Sequence, residues 1–129
     1  MLASLYNPKI QRGGTFSVGI TAEDDQGNAM DFSVYDSMRI QVRPAWVKNS
    51  TMSTIKDAPL LSMSTTTGEI VVVTTLITLT LSAAVTAALT FNSGKYELEM
   101  IKDAVTGVSP EIIDKLLYGI MYVTGEVVV

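Results

Sequence analysis
The sequence predicts an all-β fold: a sandwich of two antiparallel sheets with about seven or eight strands and one short helix. Three observations carry this reading. The run from Ile70 to Leu81 is rich in Val, Thr, Ile and Leu and holds no charge, proline or glycine, the composition of a pleated, half-buried surface. At Ser82 it gives way to SAAVTAAL, a set of helix formers behind a hydroxyl able to cap them. Elsewhere apolar and polar residues alternate with period two between turn signals, which turns one face of each strand toward a core.

Met1 to Arg12 reads as an extended N-terminal arm, set off by Gly13-Gly14. Such an arm contributes little core, so its deletion is expected to leave the domain folded. Thr15 to Ala22 is a strand with Phe16, Val18, Ile20 and Ala22 on its buried face. Glu23 to Asn28 is an acidic turn in which Gly27 supplies positive φ, and Ala29 to Phe32 is expected as the short return strand of a hairpin. Met38 to Val42 turns Met38, Ile40 and Val42 inward and Arg39, Gln41 and Arg43 outward, until Pro44 ends the strand. Ala45 to Pro59 is polar and aperiodic. Loops beyond about 12 residues are usually functional or packed on a neighbour, which makes this one a candidate contact surface; alternatively, Trp46 plugs the edge of the core.

Leu60 to Met63 is a short strand and Thr65 to Gly68 a turn. Glu69 to Val73 and Leu76 to Leu81 are either two strands joined at Thr74-Thr75 or one bent strand. So uncharged a run must be paired on both edges or it becomes a template for aggregation. Ser82 caps a helix over Ala83 to Leu89, with Val85, Ala88 and Leu89 on one face. Lys95 to Ile101 sets Tyr96, Leu98 and Met100 against Lys95, Glu97 and Glu99, and Asp103 to Pro110 is a turn or loop. The last strand, Ile112 to Val123, places Ile113, Leu117, Ile120 and Tyr122 in its apolar set and Gly119 at a bulge or a close backbone approach. Gly125 to Val129 is an extended tail whose valines are expected to pair with the chain's own sheet or a partner. The expected organisation is an arm over 1–12, one sandwich domain over 13–124 and a tail over 125–129, since 129 residues suit a single core.

Composition bounds the function. With 17% charged and 47% hydrophobic residues, the chain is less charged than the roughly 25% of an average soluble domain, as expected of a surface partly covered by other subunits. A monomer with hydroxyl-rich strand faces is the alternative. The net charge is −4 and the nine Lys and Arg residues form no stripe along the sequence, which argues against nucleic acid as a partner. The N-terminus lacks the charged and apolar regions of a signal peptide. Ile70 to Leu81 is shorter than the about 20 residues of a membrane helix, so no membrane association is expected.

Without histidine or cysteine, Ser-His and Cys-His nucleophile pairs and zinc-ligand spacings cannot occur. Carboxylate pairs remain, Glu97 with Glu99 or Asp24 with Asp25, but one lies on an outward strand face and the other in a turn, and neither has a pocket signal to raise a pKa. No enzyme activity, cofactor or metal is expected. Asp24, Gln26 and Asn28 fall at alternate positions as in a calcium loop, yet Ala29 and Tyr35 stand where that loop needs Gly and Glu. Gly13-Gly14 lacks the Lys and helix of a phosphate loop. Tyr6, Tyr35, Tyr96, Tyr118, Tyr122 and Trp46 could line a sugar-binding face, although Tyr96 and Tyr122 read as core residues with hydroxyls at the rim.

Four segments carry a family resemblance: RGGTFSVGITAEDDQGNAMDFSVYDSMRIQVR (Arg12 to Arg43), LTLSAAVTAAL (Leu79 to Leu89), GKYELEMIKD (Gly94 to Asp103) and KLLYGIMYVTGEV (Lys115 to Val127). In this order they resemble a family of small tailed-bacteriophage structural proteins with an immunoglobulin-like sandwich. The shared features are the Arg-Gly-x-Thr-Phe opening, the acidic hairpin before a short hydrophobic strand, the Leu-Ser-x-x-x-Thr-Ala-Ala-Leu turn and the Gly-x-Tyr strand. The chain departs from the pattern at Tyr118, where the family usually has an acidic residue, and at Gly125, where proline is common. The resemblance implies an immunoglobulin-like fold and a noncatalytic virion subunit placed at the tail, baseplate or neck in an adaptor or attachment role. It implies other virion proteins as partners and a homo-oligomer in a symmetric ring or array. Capsid decoration is the alternative within this class, and a carbohydrate-binding module for host-surface glycan the alternative outside it. The residues expected to make partner contacts are Leu2, Leu5, Tyr6 and Ile10 in the arm, Trp46, Val47, Met52 and Ile55 in the long loop, and Val127, Val128 and Val129 in the tail.

Overall fold
The computed structural model of the chain describes residues 3–44 and 59–125. In chain order its elements are β1 (Ser4–Leu5), β2 (Lys9–Gln11), β3 (Phe16–Ile20), a 3₁₀ turn (Phe32–Val34), β4 (Ser37–Arg43), β5 (Leu61–Ser64), β6 (Ile70–Val73), β7 (Leu76–Leu81), α1 (Ala83–Ala87), β8 (Ser93–Lys102) and β9 (Ile112–Thr124). The larger sheet has the order β1-β9-β8-β4-β5, with β2 also paired to β9, and the smaller one has the order β3-β7-β6. The chain changes sheet between β2 and β3, β3 and β4, β5 and β6, and β7 and β8. That is the strand arrangement of an immunoglobulin-type sandwich.

The alternation legible in the sequence becomes the core. Met38, Ile40 and Val42 of β4 and Tyr96, Leu98 and Met100 of β8 face Ile70, Ile77, Leu79 and Leu81 of the smaller sheet in one cluster. Each fully buried aliphatic or Met side chain contributes about 1.5–3 kcal/mol. Met38, Met63, Met100 and Met121 are all buried here, where unbranched thioethers adapt to irregular gaps in a core.

Several elements differ from the sequence reading. Ala29 to Phe32 is not a return strand: a single bridge joins Glu23 to Ala29 and the chain enters the 3₁₀ turn, whose start is capped by the Asp31 carboxylate accepting from Ser33 N. Hydrogen bonds from both the backbone and the hydroxyl of Ser33 hold the Asp31 carboxyl below its ordinary pKa. Glu69 to Leu81 is a hairpin of two strands, with Thr74 in the left-handed region at φ 47°. Of these two strands β7 is paired on both edges, whereas β6 is an edge strand among the described residues. Ser82 caps α1 through Oγ accepting from Val85 N, yet the buried residue is Thr86, not Val85, because Thr86 Oγ1 donates to Gly14 O at 2.7 Å. The bulge in β9 falls at Leu116, between the Leu98–Leu117 and Glu99–Lys115 pairs, and not at Gly119.

Gly119 is a close backbone approach instead. A Cβ there would lie 2.3 Å from Tyr6 O and 2.6 Å from Asn7 Oδ1. This is where the N-terminal segment crosses β9, leaving one stretch of parallel pairing at Ser4–Leu5 and starting another at Lys9–Gln11. Ser4–Leu5 and Lys9–Gln11 are therefore strands of the larger sheet, and Ile10 is fully buried. Arg12 fastens the end of this segment: Nε donates to Leu89 O at 2.8 Å, and one terminal nitrogen to Phe91 O at 2.7 Å and Asn92 Oδ1 at 3.0 Å.

Candidate interaction surfaces
Register sets the outward residues of the larger sheet side by side. Arg39 lies opposite Glu99, Gln41 opposite Glu97 and Arg43 opposite Lys95, while on the other flank Glu97 faces Tyr118 and Lys95 faces Ile120. Together with Leu5, Asn7 and Lys115 they line a shallow trough of about 760 Å³. Glu99 accepts from Arg39 Nε at 3.1 Å, and Glu97 from Lys115 Nζ at 2.6 Å. The bond to Glu97 outweighs partial burial and raises the Lys115 pKa. Arg43 donates to Gln41 Oε1 at 3.1 Å, and Asn7 Oδ1 accepts from Ile120 N at 2.9 Å. The two carboxylates considered as an acid pair are thus each bound to a cation.

A second feature is the turn after β3. Asp24 Oδ1 accepts from the main-chain nitrogens of both Gln26 and Asn28 at 2.9 Å, and Gly27 sits at φ 82°. The Asp24 side chain is spent on holding the turn, which leaves Glu23 and Asp25 exposed at a formed tip. Between Gly13 and Met38 the chain has five acidic residues, Glu23, Asp24, Asp25, Asp31 and Asp36, and no Lys or Arg.

The tyrosines do not converge on one face. Tyr96 is buried, its hydroxyl donating to Tyr6 O, and burial raises its pKa. Tyr35 donates to Asp114 Oδ2 at 2.7 Å; burial and then that carboxylate push its pKa up to about 12. Tyr122, expected in the core, is 39% exposed because it pairs with Ser93 and Lys9 on the outward face. Ile113 is likewise exposed, lying before the bulge that resets the alternation.

Of the residues expected to make partner contacts, Leu5 is 62% exposed on the rim of the trough, Tyr6 is half-buried and Ile10 is in the core, where no partner can reach it. Leu2, Trp46, Val47, Met52, Ile55, Val127, Val128 and Val129 lie outside the described residues. The apolar exposure that the structure adds is elsewhere. Val71 and Val73 of β6, with Leu76 of β7, project from an uncharged outer face shared with Thr78, Thr80 and Ser17. The trough went unread in the sequence although its outward residues were identifiable on β4 and β8, since only the β4–β8–β9 order makes them neighbours.

Comparison of the chain with family models and with curated proteins gives no match.

Proposed function
We propose that this chain is a noncatalytic structural subunit of a tailed-phage virion, held by protein–protein contacts at the tail, baseplate or neck. Its partners are other virion proteins and further copies of itself. The observation that carries the reading is the uncharged edge of the smaller sheet: among the described residues β6 has no strand on its second side, and Val71 and Val73 are 49% and 63% exposed. Edge strands of free-standing proteins are usually blunted by charge, proline or a bulge, and this one has none of the three. The ordered four-segment resemblance supports the same reading.

Mass spectrometry of purified particles tests it. The chain is expected among the virion proteins, and its absence overturns the proposal. Copy number separates two placements, because a tail or neck ring needs few copies and decoration of a capsid needs many. A carbohydrate-binding role finds its support in Tyr118, exposed on the trough wall with a ring face suited to stacking on a sugar. Binding to particular glycans, lost in Tyr118→Ala, would favour that second reading.

A further inference from the structure
We propose that the trough on the larger sheet receives the acidic turn of a second copy of this chain, joining copies head to tail. The inference rests on the subunit role proposed above and names the contact within it.

The charge is segregated. Four basic side chains, Arg39, Arg43, Lys95 and Lys115, line the trough against two acidic ones, Glu97 and Glu99, so it is positive on a chain whose net charge is −4. Both acids already have cations, whereas Lys95 has no ion pair among the described residues. The stretch with the most acidic residues uninterrupted by Lys or Arg is the segment from Gly13 to Met38, with five, and its turn exposes Glu23 and Asp25. That turn is already ordered by Asp24 and Gly27, so docking it costs little conformational entropy. An exposed, preordered acidic turn and a basic trough complement each other in charge.

The two surfaces belong to different sheets, one after β3 and the other on β4, β8 and β9. Two troughs placed face to face would set positive against positive, which disfavours a two-fold contact through this face. A tip-in-trough contact is heterologous: it closes into a ring when the rotation between copies allows and otherwise grows as a filament.

Carbodiimide cross-linking of the full chain, with the products mapped by mass spectrometry, is the direct test. It should couple Lys95 of one copy to Glu23 or Asp25 of another. Sedimentation of the same sample should show association that weakens by about tenfold or more when salt is raised past the screening of exposed charges. Glu23→Lys with Asp25→Lys should abolish association, as should Lys95→Glu. An equimolar mixture of the two variants should recover association, since the acidic turn of one variant meets the unaltered trough of the other. None of these side chains is in the core, so circular dichroism should show both variants folded.

A chain that stays monomeric at low salt, or oligomers indifferent to both charge reversals, overturns the contact. Failure of the subunit role reads differently. Wild-type chain absent from particles yet associating through Lys95 and Asp25 would refute the role and keep the contact. Variants that enter particles as well as wild type would refute the contact and keep the role.

Discussion
Tyr96 donates its phenolic hydrogen to the main-chain carbonyl of Tyr6 at 2.6 Å, reaching over Gly119, its cross-strand partner on β9. That bond satisfies a carbonyl at the break between β1 and β2, so a buried side chain of β8 holds the N-terminal segment in place across an intervening strand. Tyr96→Phe keeps the ring and removes the donor, leaving the Tyr6 carbonyl without this partner. A loss of about 1–2 kcal/mol is expected in denaturant unfolding. Hydrogen exchange should rise first at residues 4–7, and unchanged protection there would refute the assignment.

Gly119 provides the space for the same crossing. In Gly119→Ala the new methyl meets the Tyr6 carbonyl oxygen and the Asn7 side chain at distances no real Cβ shows. The backbone has to move, at a cost of about 1–3 kcal/mol in the manner of an overpacked core. Because the clash is confined to the crossing, pairing of Ser4–Leu5 should suffer more than pairing of β8 with β9.

Removal of residues 1–12 should lower the melting temperature substantially, contrary to the expectation that this arm adds little to the core. Ile10 is fully buried, a contribution of about 1.5–3 kcal/mol by itself, and the Arg12 side chain makes three hydrogen bonds to the segment after α1. A truncated chain that melts with the full one would show that the pairing with β9 contributes nothing to stability.

Thr74 is the one non-glycine residue with positive φ among those described, and β-branched residues rarely adopt that region. Its carbonyl accepts from Phe32 N at 2.7 Å, which holds the turn against the strain. Thr74→Gly should relieve the strain and stabilise the protein by about 0.5–1 kcal/mol after glycine's own entropic cost. Equal or lower stability in thermal unfolding would contradict the assignment.

Stability should also fall at alkaline pH through Tyr35. Its pKa is raised to about 12 in the folded chain by burial and the Asp114 carboxylate, against about 10 when unfolded. The folded state thus favours the protonated phenol. Its contribution is complete below pH 10 and is lost as pH rises toward 12. Tyr35→Phe should flatten this part of the stability profile, while Tyr96, raised in the same direction, keeps a residual slope. An unchanged profile in the variant would exclude Tyr35 as a source.

Much of the fold was legible in the residues. Alternation marked β3, β4 and β8, and the hydroxyl of Ser82 marked the start of α1, because both signals act between residues close in sequence. The reading failed where alternation is interrupted or shared. The Leu116 bulge put Ile113 on an exposed face, Tyr122 went to the outward row beyond it, and no periodicity marks Ala29 to Phe32 as a bridge and a 3₁₀ turn. The candidate site was legible only in its parts. Arg39, Gln41 and Arg43, and Lys95, Glu97 and Glu99, read as two polar strand faces, and neither run showed that it borders the other.

The sequence by itself determined that this protein is a β-sandwich with a capped helical turn, an acidic turn after its first long strand and no histidine or cysteine chemistry. Those properties follow from composition, from backbone preference and from side chains a few residues apart. Tertiary structure alone decided that the N-terminal arm pairs with the larger sheet, that β6 is an edge among the described residues and that four of the basic residues gather in one trough. The contacts responsible join Arg12 to Leu89 across 77 positions and Tyr96 to Tyr6 across 90. Pairing at such separations is selected by the burial and register of whole sheets, which no local pattern specifies.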